Sequence, residues 1–140
     1  MRSILLDTTA YSAYRNGNTL VLDSLAGVDR VYMSVFVLGE LFFGFEGGDR
    51  AIENRHELDK FLRKPTVRFV EATRETAEVF GSVKNNLKRK GTALPINDVW
   101  IAAHCIELGT VLVALNRHFL EVPGLRTWPE IFDLTTHILR

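Results

Sequence analysis

The chain has 140 residues, of which 46% are hydrophobic, and its 17 Lys and Arg balance its 17 Asp and Glu. This length and composition fit one folded domain over residues 1–140 and exclude a disordered chain, while the balanced charge is not typical of a module that binds duplex nucleic acid. A single cysteine, Cys105, excludes an internal disulfide and a thiolate metal site, and the lack of a signal peptide or of a ~20-residue apolar run predicts a cytoplasmic protein with no membrane span.

Strands alternate with helices along the sequence. Ser34 and Thr73 are suited to begin helices, and Gly91 and Gly109 are suited to end them. In chain order we predict a strand at residues 3–6, helices at 8–15 and 20–25, a strand at 31–33, helices at 35–45 and 51–63, a strand at 67–70, a helix at 73–90, a helix from 97 or 98 to 108, and strands at 111–114 and 125–128.

Near-continuous apolar strands separated by helices are typical of a mainly parallel sheet with helices on both faces. Ligands bind such sheets outside the carboxyl ends of the strands. Asp7 follows the first strand and Asn116 follows the fourth. Glu40 lies on the helix after the second strand, and Asp98 lies near a helix start. We therefore expect these four side chains to converge at one edge of the sheet.

Each acid also has a structural interpretation. Asp7 and Asp98 are both suited to cap a helix, and Glu40, whose neighbours are apolar or glycine, is suited to a salt bridge with Arg or Lys. Three carboxylates gathered at one edge, however, repel one another unless a cation lies between them. Oxygen ligands select hard ions such as Mg²⁺ or Mn²⁺, which activate water and orient phosphate.

Four segments, in this order, make the chain resemble the PIN domain and, more narrowly, the VapC toxins of bacterial and archaeal toxin–antitoxin systems. They are DTT at residues 7–9, LGEL at 38–41, NDVWIAA at 97–103, and LVALNRHF at 112–119 leading to VPGL at 122–125. The resemblance spans nearly the whole chain; residues 97–103 and 117–119 are fairly specific parts of it, whereas Asp7 and Thr8 alone are not.

The resemblance implies a three-layer α/β/α sandwich with a central, mainly parallel sheet of four to five strands. It also implies a Mg²⁺- or Mn²⁺-dependent endoribonuclease that acts as a toxin on RNA, a tRNA or an rRNA loop in many members. The implied protein partners are a second copy of the chain and a cognate antitoxin whose tail occupies the active groove.

Carried over by position, the resemblance makes Asp7, Glu40 and Asp98 the three principal acids and the metal ligands. Thr8 matches a supporting hydroxyl residue. Asn116 occupies a fourth position that is often Asp, where it offers a carbonyl oxygen without a charge, which weakens the case for a second tightly bound metal. We expect in-line attack of activated water on an RNA phosphodiester, with Glu40 as a ligand or as a base and Asn116 positioning water or phosphate.

Basic residues offer candidate RNA contacts. Lys84, Lys88 and Arg117 are suited to bind phosphate, although a solvated helix face is the alternative for the two lysines. His118 is suited either to phosphate binding or to an ordinary surface loop, and His104, in an apolar segment, is interpreted as a packed histidine.

Two other functions remain open from the sequence. A non-catalytic binding module with this fold is favoured by the uncharged Asn116. A phosphatase that forms an aspartyl-phosphate on Asp7 is disfavoured, because Thr9 stands where such enzymes typically carry a second Asp.

Overall fold

A computed structural model describes residues 1–128, and the predicted alternation of strands and helices is confirmed there. The elements are β1 (Ser3–Leu6), α1 (Thr8–Arg15), α2 (Thr19–Ala26), β2 (Arg30–Ser34), α3 (Val35–Glu46), α4 (Ala51–Leu62), β3 (Val67–Val70), α5 (Arg74–Lys90), α6 (Ile96–Leu108), β4 (Val111–Val113) and β5 (Arg126–Thr127), with a 3₁₀ helix at Arg117–Glu121.

The five strands form one parallel sheet in the order β3-β2-β1-β4-β5, which confirms the predicted α/β/α fold. Strand β1 is central, with Leu5 opposite Tyr32 of β2 on one side and Leu112 of β4 on the other. The direction of strand addition reverses between β1 and β4, and ligands bind such sheets at this switch point. Asp7 follows β1 directly, and its N–H donates to the carbonyl oxygen of Val113 over 3.1 Å.

Local side-chain chemistry sets most helix ends. Asp7 and Ser34 accept hydrogen bonds from the first turns of α1 and α3, and Thr73 forms a capping box at α5. Gly91 and Gly109 end α5 and α6 with left-handed φ angles of 75° and 65°, which glycine adopts without strain.

The start of α6 differs from the prediction. The helix begins at Ile96, with Pro95 at the capping position and no side-chain capping bond. The carbonyl oxygen of Pro95 accepts from the N–H of Asp98 over 3.0 Å, so Asp98 lies inside the first turn and not at the capping position. The side chain of Asp98 is therefore not used as a cap, and the interpretation of Asp98 as a helix cap is wrong.

The sheet and helices share one hydrophobic core, in which the side chains of Ile4, Leu5 and Leu6 are fully buried. Cys105 is also buried, and its thiol donates to the carbonyl oxygen of Thr110 over 3.2 Å. None of the helices within residues 1–128 is both long enough and apolar enough to cross a bilayer.

Candidate active site

Asp7 is held rigidly at the carboxyl end of β1. Its side chain is 2% exposed, and its Oδ1 accepts from the N–H of Ala10 over 2.7 Å. The Thr9 hydroxyl lies 2.7 and 2.9 Å from the two carboxylate oxygens of Asp7. The same hydroxyl accepts from the N–H of Leu115 over 3.1 Å, which links the ends of β1 and β4. The structural interpretation of Asp7 as a helix cap is correct, and the cap also fixes the direction of the carboxylate.

The carboxylate of Asp7 lies in an environment that disfavours its charge. Burial raises the pKa of Asp7 to about 7, against the bonds from Ala10 and Thr9, which lower it. The charges of Asp98 and Glu40 raise the pKa of Asp7 further. The structure therefore brings the three predicted acids close enough to repel one another.

Glu40 projects from α3 and is half-buried. Its Oε1 accepts a short hydrogen bond from the Thr8 hydroxyl. Among residues 1–128, no Lys or Arg forms an ion pair with Glu40, so the salt-bridge interpretation is wrong for the described chain. The Thr8 hydroxyl orients the side chain of Glu40.

Asp98 lies in the first turn of α6, where the partial positive charge of the helix terminus favours a carboxylate. Its pKa is raised, first by burial and then by the charge of Glu40, while the proximity of His118 lowers it. The Nε2 atom of His118 lies 2.8 Å from Asp98 Oδ2. This nitrogen is shielded from solvent, and Asp98 is its polar partner in the described chain.

The remaining predicted residues lie after β4 and on α5. Asn116 is half-buried between Leu115, which binds Thr9, and the 3₁₀ helix that carries His118; its side chain does not cap that helix. Arg117 is exposed. Lys84 and Lys88 are exposed on α5 and line a groove of about 490 Å³.

One residue of this groove is the sequence neighbour of Asp98. Its wall includes Val99, the neighbour of Asp98 in α6, together with Leu94. The two lysines are four residues apart on α5, so they share one helix face. The structure thus places two cations on a groove that reaches the helix carrying one of the acids.

The donor set fits a hydrated divalent cation better than a fully protein-ligated ion. Within residues 1–128, no three His, Cys, Asp or Glu side chains are already arranged around one point as metal ligands. Small hard cations commonly keep several waters and bind one or two carboxylates, so they do not need such a cage. The raised pKa values of Asp7 and Asp98 reflect burial and mutual repulsion, both of which a bound cation would offset.

Two residues were missed or left open by the sequence analysis. The hydroxyl of Thr9 contacts Asp7, whereas the sequence analysis assigned the supporting role to the neighbouring residue Thr8. His118 contacts Asp98, although the sequence left it between phosphate binding and a surface loop. Both residues belong to the segments 7–9 and 112–119, which include the residues directly after two neighbouring strands. Their position at the ends of these strands was the sequence feature that could have indicated a role at the site.

Both the sequence and the fold match known proteins. The sequence profile described as "PIN domain" matches residues 4–125. "Ribonuclease VapC2" of Rickettsia felis is 29% identical over 105 residues, covering 74% of this chain and 77% of the relative. "Ribonuclease VapC2" of Haemophilus influenzae is 31% identical over 99 residues, covering 70% and 74%. The crystal structure of VapBC2 from Rickettsia felis, bound to a DNA fragment from its promoter, matches with a TM-score of 0.79 and 25% identity, covering 90% of this chain and 97% of that one.

Proposed function

The chain belongs to the PIN domain family, and from this premise we propose that it is a divalent-metal-dependent endoribonuclease that acts as the toxin of a toxin–antitoxin pair. The observation that carries the proposal is the convergence of Asp7, Glu40 and Asp98 beside the β1–β4 switch point with no Lys or Arg of the described chain paired to them. The names of the relatives, ribonucleases of the VapC group, support RNA as the substrate class.

The residues divide the work by position. Asp7 and Asp98 would hold the ion, Mg²⁺ or Mn²⁺, directly or through water. When bound, the ion supplies Lewis-acid activation of water and neutralises charge on the leaving oxygen. Glu40, oriented by the Thr8 hydroxyl, either joins the ligands or orients the attacking water as a base. Asn116 positions water or phosphate through its carbonyl oxygen and adds no charge, which favours one tightly held ion over two.

The RNA backbone is proposed to run along α5. Two observations support this path: Lys84 and Lys88 line a groove that also contains Val99 of α6, and Arg117 is exposed next to Asn116 in the sequence. Phosphate contacts of this kind position a nucleic acid without reading its sequence. The choice between a tRNA and an rRNA loop therefore depends on surfaces beyond these contacts.

The proposed partners are an antitoxin and a second copy of the chain, with the cytoplasm as the compartment. The matched Rickettsia felis structure is of VapBC2, which supports a toxin–antitoxin complex. The chain also carries apolar surface that a partner would cover: Phe43 on α3 is 83% exposed and Ile52 on α4 is 87% exposed.

The decisive experiment is cleavage of total RNA by the purified chain, with new 5′ ends mapped by sequencing. We expect discrete cuts with Mg²⁺ or Mn²⁺, no cuts with EDTA, and recovery when Mn²⁺ exceeds EDTA. Asp7→Asn is the matched control, because asparagine retains the oxygen that caps α1 but removes the charge.

The second candidate function is an RNA-binding module that does not cut, which the uncharged Asn116 favours. RNA retained by the protein without new 5′ ends under every metal condition would support this module and reject the nuclease. Equal cleavage by wild type and Asp7→Asn would instead reject the assigned site.

A further inference from the structure

His118 has an unusual place beside the acids. Its side chain is 35% exposed overall, but the Nε2 atom is shielded from solvent and lies on the side of the ring that faces Asp98. This nitrogen lies 2.8 Å from Asp98 Oδ2, within ion-pair distance. The contact pairs His118 with one of the three acids of the proposed site, so His118 is within reach of an ion that Asp98 binds.

The ring is held in this place by its neighbours. Phe119 is fully buried and anchors the 3₁₀ helix Arg117–Glu121 in the core, and its ring lies 4.9 Å from that of His118. Asp98 is fixed by the first turn of α6. The short distance between Nε2 and Oδ2 is therefore set by two ordered elements.

The observed distance suits two ligands of one ion. Adjacent donors of an octahedral cation, with bonds of about 2.1 Å, lie about 3 Å apart. Nε2 and Asp98 Oδ2 are 2.8 Å apart. A neutral imidazole with its proton on Nδ1 presents a lone pair at Nε2, which is the form that binds metals.

We propose that His118 is a nitrogen ligand of the divalent ion, beside Asp98, and that it biases the site towards Mn²⁺ over Mg²⁺. The inference rests on the proposed metal-dependent nuclease and names a feature of its metal site that the three acids alone do not provide. Imidazole favours transition metals, whereas sets of oxygen ligands suit Mg²⁺ as well as Mn²⁺. This chain is therefore expected to prefer Mn²⁺ more strongly than a site with carboxylates only.

The test uses the full chain, freed of metal and loaded with less than one equivalent of Mn²⁺. Pulsed electron paramagnetic resonance reports directly bound nitrogen as ¹⁴N modulation of the Mn²⁺ echo. We expect this modulation in wild type and its loss in His118→Gln. His56→Gln is the matched control, because His56 is exposed on α4 and lines a different groove, with Tyr11 and Arg15, so the modulation should remain.

Affinity supplies the second readout. His118→Gln should weaken Mn²⁺ binding on the order of tenfold and Mg²⁺ binding by less than about twofold, which reduces the preference for Mn²⁺. His118→Glu restores a donor but through oxygen, so it should bind both ions, show no ¹⁴N modulation and favour Mg²⁺ relative to wild type. Unchanged circular dichroism spectra and melting temperatures establish that each variant is folded.

The outcomes separate the two proposals. Mn²⁺ bound to wild type without ¹⁴N modulation, or modulation that persists in His118→Gln, overturns the histidine ligand and leaves the nuclease proposal standing. Absence of any Mn²⁺ or Mg²⁺ binding overturns both. Weaker Mn²⁺ binding by His118→Gln, without nitrogen modulation in wild type, would make His118 a positioning residue for Asp98 and would also reject direct coordination.

Discussion

Two clusters of polar side chains lie along helix α6, and they differ in the partners of their polar groups. Towards its C-terminal end, the buried network consists of Ser34, His104, Thr76 and Glu107. The two ring nitrogens of His104 lie 2.8 Å from the Ser34 hydroxyl and 3.1 Å from the carbonyl oxygen of Glu71, and Thr76 donates to Glu107 over 2.5 Å. Burial lowers the pKa of His104, and both ring nitrogens have a polar partner. The interpretation of His104 as a packed histidine is confirmed.

The site cluster at the other end of α6 consists of Asp7, Glu40, Asp98 and His118. Here burial and the charges of Asp98 and Glu40 raise the pKa of Asp7 to about 7, and Nε2 of His118 lies 2.8 Å from Asp98 Oδ2. Polar groups kept for stability are normally hydrogen-bonded to neutral partners, whereas groups with perturbed pKa values concentrate at functional sites. The difference indicates that the buried network stabilises the fold and that the site cluster lowers stability in exchange for function.

The largest expected effect separates the two clusters by activity. Asp98→Asn should reduce RNA cleavage on the order of a thousandfold, because loss of a ligand forfeits several kcal/mol of charge stabilisation in the transition state. Glu107→Gln, the same acid-to-amide change in the buried network, should leave cleavage unchanged, since the amide oxygen still accepts from Thr76. Initial rates with a labelled RNA measure both. Equal losses in the two variants would show that the effect is general destabilisation.

The next effect separates the clusters by stability. His104→Ala should lower the free energy of unfolding by about 3 kcal/mol, because it creates a cavity and removes two buried hydrogen bonds. His118→Gln should change it by less than about 0.5 kcal/mol, because the ring is partly exposed and the amide of glutamine can still donate to Asp98. Urea unfolding followed by circular dichroism gives both values. A cost for His118→Gln that approached that of His104→Ala would make His118 a structural residue.

The third substitution is expected to raise the free energy of unfolding instead of lowering it. The folded protein holds the proton of Asp7 up to a pKa of about 7, whereas the unfolded chain releases it near 3.8, the ordinary pKa of an aspartate carboxyl. The contribution of Asp7 to stability is therefore highest below the unfolded pKa, falls as the pH rises to about 7 and stays low above it. Asp7→Asn should remove this fall and stabilise the metal-free protein on the order of 2 kcal/mol at pH 8.

Unfolding of metal-free wild type and Asp7→Asn at pH 5 and pH 8 tests this sign. The groups that face Asp7 include Asp98 and Glu40, which raise its pKa, and Thr9 and Ala10, which lower it. A stability difference between the two proteins that is equal at both pH values would contradict the assigned burial of charge. Addition of Mg²⁺ should raise the melting temperature of wild type more than that of the variant, because the ion binds the folded site.

Much of the fold followed from local chemistry. Ser34 and Thr73 mark helix starts, Gly91 and Gly109 mark helix ends, and these predictions are confirmed at the element bounds. The start of α6 was wrong by a residue or two, because Pro95 takes the capping position without a side-chain bond and gives no strong sequence signal. The alternation of strands with helices predicted a mainly parallel sheet. It did not predict the order of the strands, because that order is set by packing over the whole chain.

The site was predictable where it depends on the ends of strands. Asp7, Glu40 and Asp98 were expected at one sheet edge, and the structure brings them together there, while their chemical roles stay a prediction. The contacts of Thr8 with Glu40, Thr9 with Leu115, and His118 with Asp98 could not be predicted. Each joins elements that are far apart in the sequence or fixes the direction of one ring, and no local pattern encodes that.

The smallest predicted effect concerns Thr9. This residue lies at the edge of the site, but its hydroxyl is hydrogen-bonded on both sides, as the polar groups of the buried network are. Its hydroxyl contacts Asp7 and accepts from the N–H of Leu115, so Thr9→Val, which keeps the shape, removes both bonds. We expect a loss of about 1.5 kcal/mol, most of it from the unpaired N–H of Leu115. Thr8→Val, the adjacent control, removes one bond to the half-buried Glu40 and should cost about 0.5 kcal/mol.

Urea midpoints at constant slope measure both threonine variants, since a changed slope would indicate altered compactness instead. Cleavage rates complete the test, because Thr9 orients Asp7 while Thr8 orients Glu40. If Thr9→Val were no less stable than Thr8→Val, the link between the ends of β1 and β4 would contribute little. In that case no polar group at the site edge would stabilise the fold as the buried network does, and Asp7 would be held by the N–H of Ala10 alone.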